Sequence, residues 1–382
     1  AVSAADLHDP GVALSIQDLD RQAKCVAAEK LRPRGRKRDR LREHERMTKG
    51  NTAREVTGFQ PGAVDDEILS SAEPLVLRGL AAEWPMVKAA KKSAQSAADY
   101  IRRFYSGEPL TASFGAPDIE GRVGYNDDLT GFNFERGKIA LDDFLDRLFA
   151  HIDDDKPPAS YVGSTVLNKW FPGFRDENDL VLQRIDPLVS LWIGNQTRVS
   201  AHFDFPDNIA CCVAGRRRFT LFPPDQLENL YVGPWDLTPA GQAISLVDFR
   251  YPDFDRFPKF RQAQESALVV TLEPGDALFL PSMWWHHVEG LDGLNMLVNY
   301  WWRSTPAYMG TPLNVLKHAL LGLGGLPPEQ RRAWQHIFEY YVFDRRDDAI
   351  SHIPEKSRGM LGSIDDIAAR KLRADILNQL NR

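Results

Sequence analysis

Between residues 161 and 302 the chain consists of short apolar or alternating runs, each cut off by turn formers, and this pattern leaves few architectures open. The runs fall at 188–193, 208–213, 217–222, 268–272, 277–280 and 296–302. Gly194-Asn195, Ala214-Gly215, Glu273-Pro274-Gly275-Asp276 and the stretch from Gly290 to Gly293 punctuate them. Runs of this length bury an apolar face only by pairing with one another, so the region predicts a small antiparallel barrel or sandwich.

The flanks read differently. Residues 93–105 and 141–152 carry apolar side chains at helical spacing, with Leu141, Phe144, Leu145, Leu148 and Phe149 on one face, and a short apolar run precedes Gly79. Residues 51–160 are therefore expected to form an α/β lead-in against the β core at 161–302. Helical spacing returns at 313–323, 328–342 and 364–380, and Pro327-Pro328 before Glu329 suits a helix start. Such apolar stripes must cover the core or pair with another copy, so the segment 303–382 predicts a homodimer through C-terminal helices. His318 and His336 sit on these expected packing faces.

Charge separates a further segment. Residues 30–46 hold nine Lys/Arg against three Asp/Glu inside a chain of net charge −6. No aromatic residue interleaves with these bases to stack nucleobases, so residues 1–50 read as a solvated tail and nucleic acid is not a favoured partner. Met47 begins a plausible native start, and the residues before it need not belong to the working protein. No run approaches the length of a membrane span, so no membrane partner is expected. The three cysteines include the adjacent pair Cys211 and Cys212, whose side chains would point to opposite faces of a strand. That excludes a disulfide framework and points to a reducing, cytoplasmic setting.

The chemistry concentrates in few residues. His202 and Asp204 stand two apart, which on a strand sends both to one face. His286, the first of a histidine pair after Trp284-Trp285, lies just beyond the run 277–280. Two imidazoles and one carboxylate can take one triangular face of an octahedral metal and leave the other face free, which suits non-haem Fe(II). An isolated His-x-Asp pair that merely satisfies hydrogen bonds is the bland alternative, as is core packing for Cys211 and Cys212, which lack a zinc spacing.

With these residues in view, the region 161–302 resembles the JmjC-type, cupin-like family of Fe(II)- and 2-oxoglutarate-dependent oxygenases, in the branch of the asparaginyl hydroxylase that acts on hypoxia-inducible factor. The likeness rests on His202-Phe203-Asp204, the stretch 215–226, Asp248-Phe249 with 252–258, Pro274-Gly275-Asp276, Trp284-Trp285-His286-His287 and Val298-Asn299-Tyr300-Trp301. The resemblance implies a mainly β fold, a double-stranded β-helix (jelly-roll, cupin) core with the α/β lead-in and the C-terminal helical segment around it. It implies metal ligation by His202, Asp204 and His286, with His287 in a supporting or packing role. It also implies cosubstrate binding by Arg217, whose strand parity with Phe219 and Leu221 turns it inward, with help from Tyr161, Asn208 and Asn299.

Two positions depart from the branch: Arg217 stands where relatives carry lysine, and Val199 where they often carry a threonine hydroxyl, which Ser200 would have to replace. The implied activity is oxidative decarboxylation of 2-oxoglutarate by O2, coupled to oxidation of a C–H bond in an unknown protein or small-molecule substrate, as hydroxylase or demethylase. A non-catalytic cupin-like binding dimer and a zinc or manganese cupin enzyme that uses no oxo acid are the alternatives. Trp284, Trp285, Trp301 and Trp302 are read as core and rim packing.

Overall fold

The computed structural model describes residues 51–381 except 61, 184, 240 and 345–347. The basic segment 30–46 and Met47 lie outside the described residues, and so do the expectations placed on them. The chain forms two compact units, one ending at Arg303 and the other beginning at Ser304.

The first unit is built on fourteen strands: β1 (Arg54–Val56), β2 (Leu75–Leu77), β3 (Leu110–Gly115), β4 (Arg122–Val123), β5 (Glu135–Ile139), β6 (Ala159–Val166), β7 (Leu188–Gly194), β8 (Arg198–His202), β9 (Asp207–Ala214), β10 (Arg217–Phe222), β11 (Leu268–Leu272), β12 (Ala277–Leu280), β13 (Trp285–Gly290) and β14 (Asn295–Trp302). They form a nine-stranded sheet in the order β1-β2-β12-β9-β14-β7-β6-β3-β5 and a five-stranded sheet in the order β11-β10-β13-β8-β4. Among the pairs formed by these described strands, β1–β2 and β4–β8 are parallel and the rest antiparallel. Neither sheet closes on itself. Of the two expected forms the jelly-roll core is therefore the sandwich and not a closed barrel, with strands of the lead-in extending both sheets.

Packing shows how the sheets face each other. Ala210, Cys212, Leu278 and Leu297 from the large sheet share one core with Phe219, Leu221, Val270 and Val288 from the small one. The opposite face of the large sheet, carrying Ile193, Ile209, Cys211, Val298 and Tyr300, packs on the helices Ala94–Arg102 and Leu141–Ala150 through Ile101, Phe144 and Leu145. The outer face of the small sheet, with Phe222 and Trp285, is covered by Val247, Phe249 and the helix Phe260–Ser266. Central strands are thus covered on both sides, and β9 is buried from Asn208 to Ala214, which explains why its sequence runs apolar without alternation. Cys211 and Cys212 are free, buried thiols on opposite faces.

The second unit is helical. It contains Leu313–Leu323, Pro328–Phe338 continued by a π-helical turn at Glu339–Phe343, and Asp366–Leu380, whose N-cap Asp365 accepts a hydrogen bond from the Ala368 amide. Among the described residues no helix is long and apolar enough to cross a membrane.

Candidate metal centre

Strands β8 and β13 run antiparallel with His202 directly opposite His286. Residues facing each other across a ladder share a face, and here the two imidazole rings lie 4.3 Å apart between centroids at an interplanar angle of 53°. Asp204 lies just past the end of β8, so it reaches the site from the turn and not from the strand that the two-residue spacing suggested. Its Oδ2 is 3.6 Å from His286 Nε2. One ligand atom from each of His202, Asp204 and His286 lies within 4.8 Å of the others, close enough for a single cation to touch all three.

The backbone orients both rings. His202 Nδ1 donates to the Ser200 carbonyl and His286 Nδ1 to the Trp284 carbonyl, each at 3.0 Å. A carbonyl can only accept, so Nδ1 carries the proton and Nε2 keeps its lone pair for a metal. Burial, aided by the neighbouring His202, pushes His286 down to about 4, so the ring is neutral at pH 7, as a metal ligand must be.

The register also fixes what else faces this space. Arg217 pairs with Gly290, Phe219 with Val288 and Leu221 with His286, which puts Arg217 on the inner face of the small sheet. Val199 pairs with Val288, and a bulge between this pair and His202–His286 lets Val199 and His202 share that face although they stand three apart. Val199 packs in the inter-sheet core. The bulge takes Ser200 out of the alternation; it is buried, with its hydroxyl beside Gly124.

Facing these residues on the large sheet are Tyr161, Trp192, Asn208, Asn299 and Trp301. The Tyr161 ring lies 5.9 Å from Trp192, which meets Trp301 edge-on at 5.6 Å. Asn299 Nδ2 donates to Asn208 Oδ1 at 2.8 Å. Tyr161 also interacts with Arg217: burial raises its hydroxyl to about 12 although the guanidinium beside it pulls the other way. Arg217 is pushed below its usual value by burial, partly offset by Tyr161.

This lining is not internally satisfied. Arg217 Nε, Trp192 Nε1, Trp301 Nε1, Ser190 Oγ and Asn299 Oδ1 are buried without a hydrogen-bond partner among the described residues. Ser190 pairs with Asn299, and Trp192 with Leu297, so these atoms belong to one wall. Buried polar groups are almost always satisfied, and five orphans around one space, three of them N–H donors, fit a compact anion that brings its own acceptors. A dicarboxylate such as 2-oxoglutarate meets that requirement.

Trp192, Trp301 and Ser190 did not stand out in the sequence. Tryptophans in strands mostly pack, and Trp301 was read that way; its two-residue spacing from Asn299 is the one feature that could have turned it toward the site. His287 faces away from the site. It is buried against Phe249 with ring centroids 4.6 Å apart and is driven down to about 4, mainly by burial. Arg198, at the other end of β8, binds Asp248 at 2.7 Å and the Glu120 carbonyl at 3.0 Å, tying the strand to the cover of the small sheet.

Comparison with known proteins agrees with this geometry. Residues 61–308 match the family described as cupin-like domain. HSPB1-associated protein 1 of Homo sapiens is 27% identical over 276 residues, covering 66% of this chain and 52% of that protein. Lysine-specific demethylase 8 of Xenopus tropicalis is 24% identical over 245 residues, 62% of this chain and 49% of that protein. Lysine-specific demethylase JMJ31 of Arabidopsis thaliana is 32% identical over 117 residues, 30% of this chain and 21% of that protein. The chain spans about half the length of these relatives, or less. A match over more than half of the chain, on a jelly-roll sandwich with a His-Asp-His cluster between its sheets, shows that the protein belongs to the JmjC-type, cupin-like family.

Proposed function

We propose that the protein is an Fe(II)- and 2-oxoglutarate-dependent oxygenase that uses O2 to oxidise a C–H bond of a protein or small-molecule substrate. The convergence of two carbonyl-oriented imidazoles and a carboxylate carries this reading. His202 Nε2, Asp204 and His286 Nε2 would hold the iron. Ferrous iron bound there would supply the O2 activation that organic side chains lack, coupled to decarboxylation of 2-oxoglutarate to succinate and CO2.

The remaining work belongs to the protein's own groups. Asp204 contributes the one negative charge of the cluster. Arg217 offers a charged, forked donor and Tyr161 a hydroxyl for the far carboxylate, and a buried guanidinium whose Nε is orphaned gains a partner when that carboxylate enters. Asn208, Asn299 and the two indole N–H groups lie along the opposite wall and fix the orientation of the oxo acid. The apolar floor of Phe219, Leu221 and Val288 excludes water. Demethylation of a lysine is the reading that the names of two relatives favour, and hydroxylation is the simpler outcome of the same C–H oxidation.

The test is an anaerobic titration of the protein with Fe(II) and 2-oxoglutarate, followed by exposure to air. A weak visible charge-transfer band and then succinate are expected, and His202→Ala should lose both. Neither signal is expected from a non-catalytic cupin-like module. Zinc- or manganese-supported turnover without an oxo acid would replace the proposal.

A further inference from the structure

Asp204 is the one member of the His-Asp-His cluster that no strand ladder holds. β8 ends at His202 and β9 begins at Asp207, so residues 203–206 cross between the two outside any strand. Phe203 and Phe205 turn to the outer side of the small sheet, where Phe203 meets Trp285 edge-on at 4.8 Å and Phe205 at 5.7 Å. With both neighbours turned outward, Asp204 faces the histidines, but parity does not set how far its carboxylate advances. Among the described residues its oxygens accept no hydrogen bond, and the contact with His286 Nε2 is 3.6 Å long. The placement of this carboxylate therefore falls to its backbone.

That backbone is gripped from one side by two consecutive residues. The Ser282 amide donates to Asp207 Oδ1 at 2.9 Å, the Ser282 hydroxyl to the Phe205 carbonyl at 2.7 Å, and the Met283 amide to the Asp204 carbonyl at 2.9 Å. The Trp284 amide donates to the Pro281 carbonyl at 3.3 Å, closing a β-turn whose third residue, Met283, sits at φ +70°. Glycine or asparagine normally takes such a position, and a methionine keeps it only where its surroundings impose it. The bond from the Met283 amide to Asp204 is one such constraint. β13 starts at Trp285, so the same turn leads directly into His286.

We propose that Ser282 is a positioning residue of the metal centre: its hydroxyl and amide, acting through Phe205 and Asp207, fix the advance of Asp204 toward the cation and thereby set the affinity for a divalent metal. The inference rests on the reading of His202, Asp204 and His286 as a metal centre. Groups that orient a ligand matter nearly as much as the ligand, and a carboxylate without hydrogen bonds of its own depends on them most.

The experiment is a titration of the full chain with Mn(II), read from the electron paramagnetic resonance signal of the free ion, with circular dichroism as the control of folding. Ser282→Ala removes only the hydroxyl and should raise the Mn(II) dissociation constant about tenfold at unchanged circular dichroism. Asp207→Ala should weaken binding as well. Ser282→Thr keeps the hydroxyl and should bring the constant back to within about twofold of the unaltered chain. A Ser282→Ala protein whose denaturation midpoint falls while its Mn(II) affinity holds overturns the proposal and leaves Ser282 a structural residue. So does a weakened affinity that threonine does not restore. A folded, unaltered chain that takes up no Mn(II) overturns the metal-centre reading itself, and this proposal with it.

Discussion

Trp192 separates packing from binding most cleanly. Its indole fills the inner wall between Tyr161 and Trp301, and its Nε1 has no partner among the described residues. Trp192→Phe keeps most of the ring and removes the donor. Its stability should change by about 1 kcal/mol or less, because the lost group is already unpaired, while the 2-oxoglutarate concentration for half-saturation rises about three- to tenfold. A denaturant melt and a cosubstrate titration measure the two, and an unchanged half-saturation would make Trp192 a packing residue. Arg217→Lys tests the anchor in the same way: a point charge replaces a bidentate fork, and binding should weaken by roughly tenfold with the metal site intact. If the cosubstrate requirement does not move, the distal carboxylate sits elsewhere. The clustering of His202, Asp204 and His286 was legible because histidine is rare enough in this chain for position to carry information, and the inward, buried placement of Arg217 followed from its strand parity with Phe219 and Leu221. Trp192, Trp301 and Ser190 were not legible, since a tryptophan or serine in a strand looks the same whether its polar atom is paired or orphaned.

At the level of the strand, Arg218 and Glu289 face each other across β10 and β13, and Arg218 Nε lies 2.8 Å from Glu289 Oε2. Burial alone would raise the Glu289 carboxyl, but His287, Arg218 and Arg250 outweigh it and hold it at about 2. A carboxyl depressed in the folded state stabilises the fold above its ordinary value near 4.5, and that contribution disappears as pH falls toward 2. The unfolding free energy should therefore drop across that window by an amount on the order of 3 kcal/mol, and Glu289→Gln should flatten the drop while lowering stability at pH 7. Equal slopes for both proteins would refute the assignment. The turn between β9 and β10 makes a second demand: Gly215 sits at φ +64°, and a Cβ there would come within 2.3 Å of the Leu294 carbonyl oxygen. Gly215→Ala should cost about 1–3 kcal/mol, read as a shifted denaturation midpoint. Strands β10, β11 and β12 were readable to the residue because turn formers bound them. β8 and β13 were seen only through their histidines, since bulge and pairing are long-range properties. Asp204 was placed on the strand because alternation cannot say where a strand ends.

For the molecule as a whole, metal and fold should be linked. A cation that binds the folded chain alone stabilises it by about 3 kcal/mol at a hundredfold excess over its dissociation constant, worth a few degrees in melting temperature for a chain of this size. Adding Mn(II), which does not react with air as iron does, should raise the melting temperature, chelation should reverse the rise, and His202→Ala should abolish it. A melting temperature indifferent to metal in the unaltered protein would argue against the ligand set. The sandwich and the helical segment were both visible in the sequence, one from turn spacing and one from apolar periodicity. What that spacing left open was closure: whether facing sheets join into a barrel depends on pairings between strands far apart in the chain.

The direct pairing of His202 with His286 makes the centre a reporter of assembly. Because neighbouring residues on a strand point to opposite sides, a slip of a single position between β8 and β13 would turn one imidazole away from the other and leave no chelate at all. Cation uptake during refolding would then time the moment at which these two strands reach their correct alignment, whatever else of the chain has already folded.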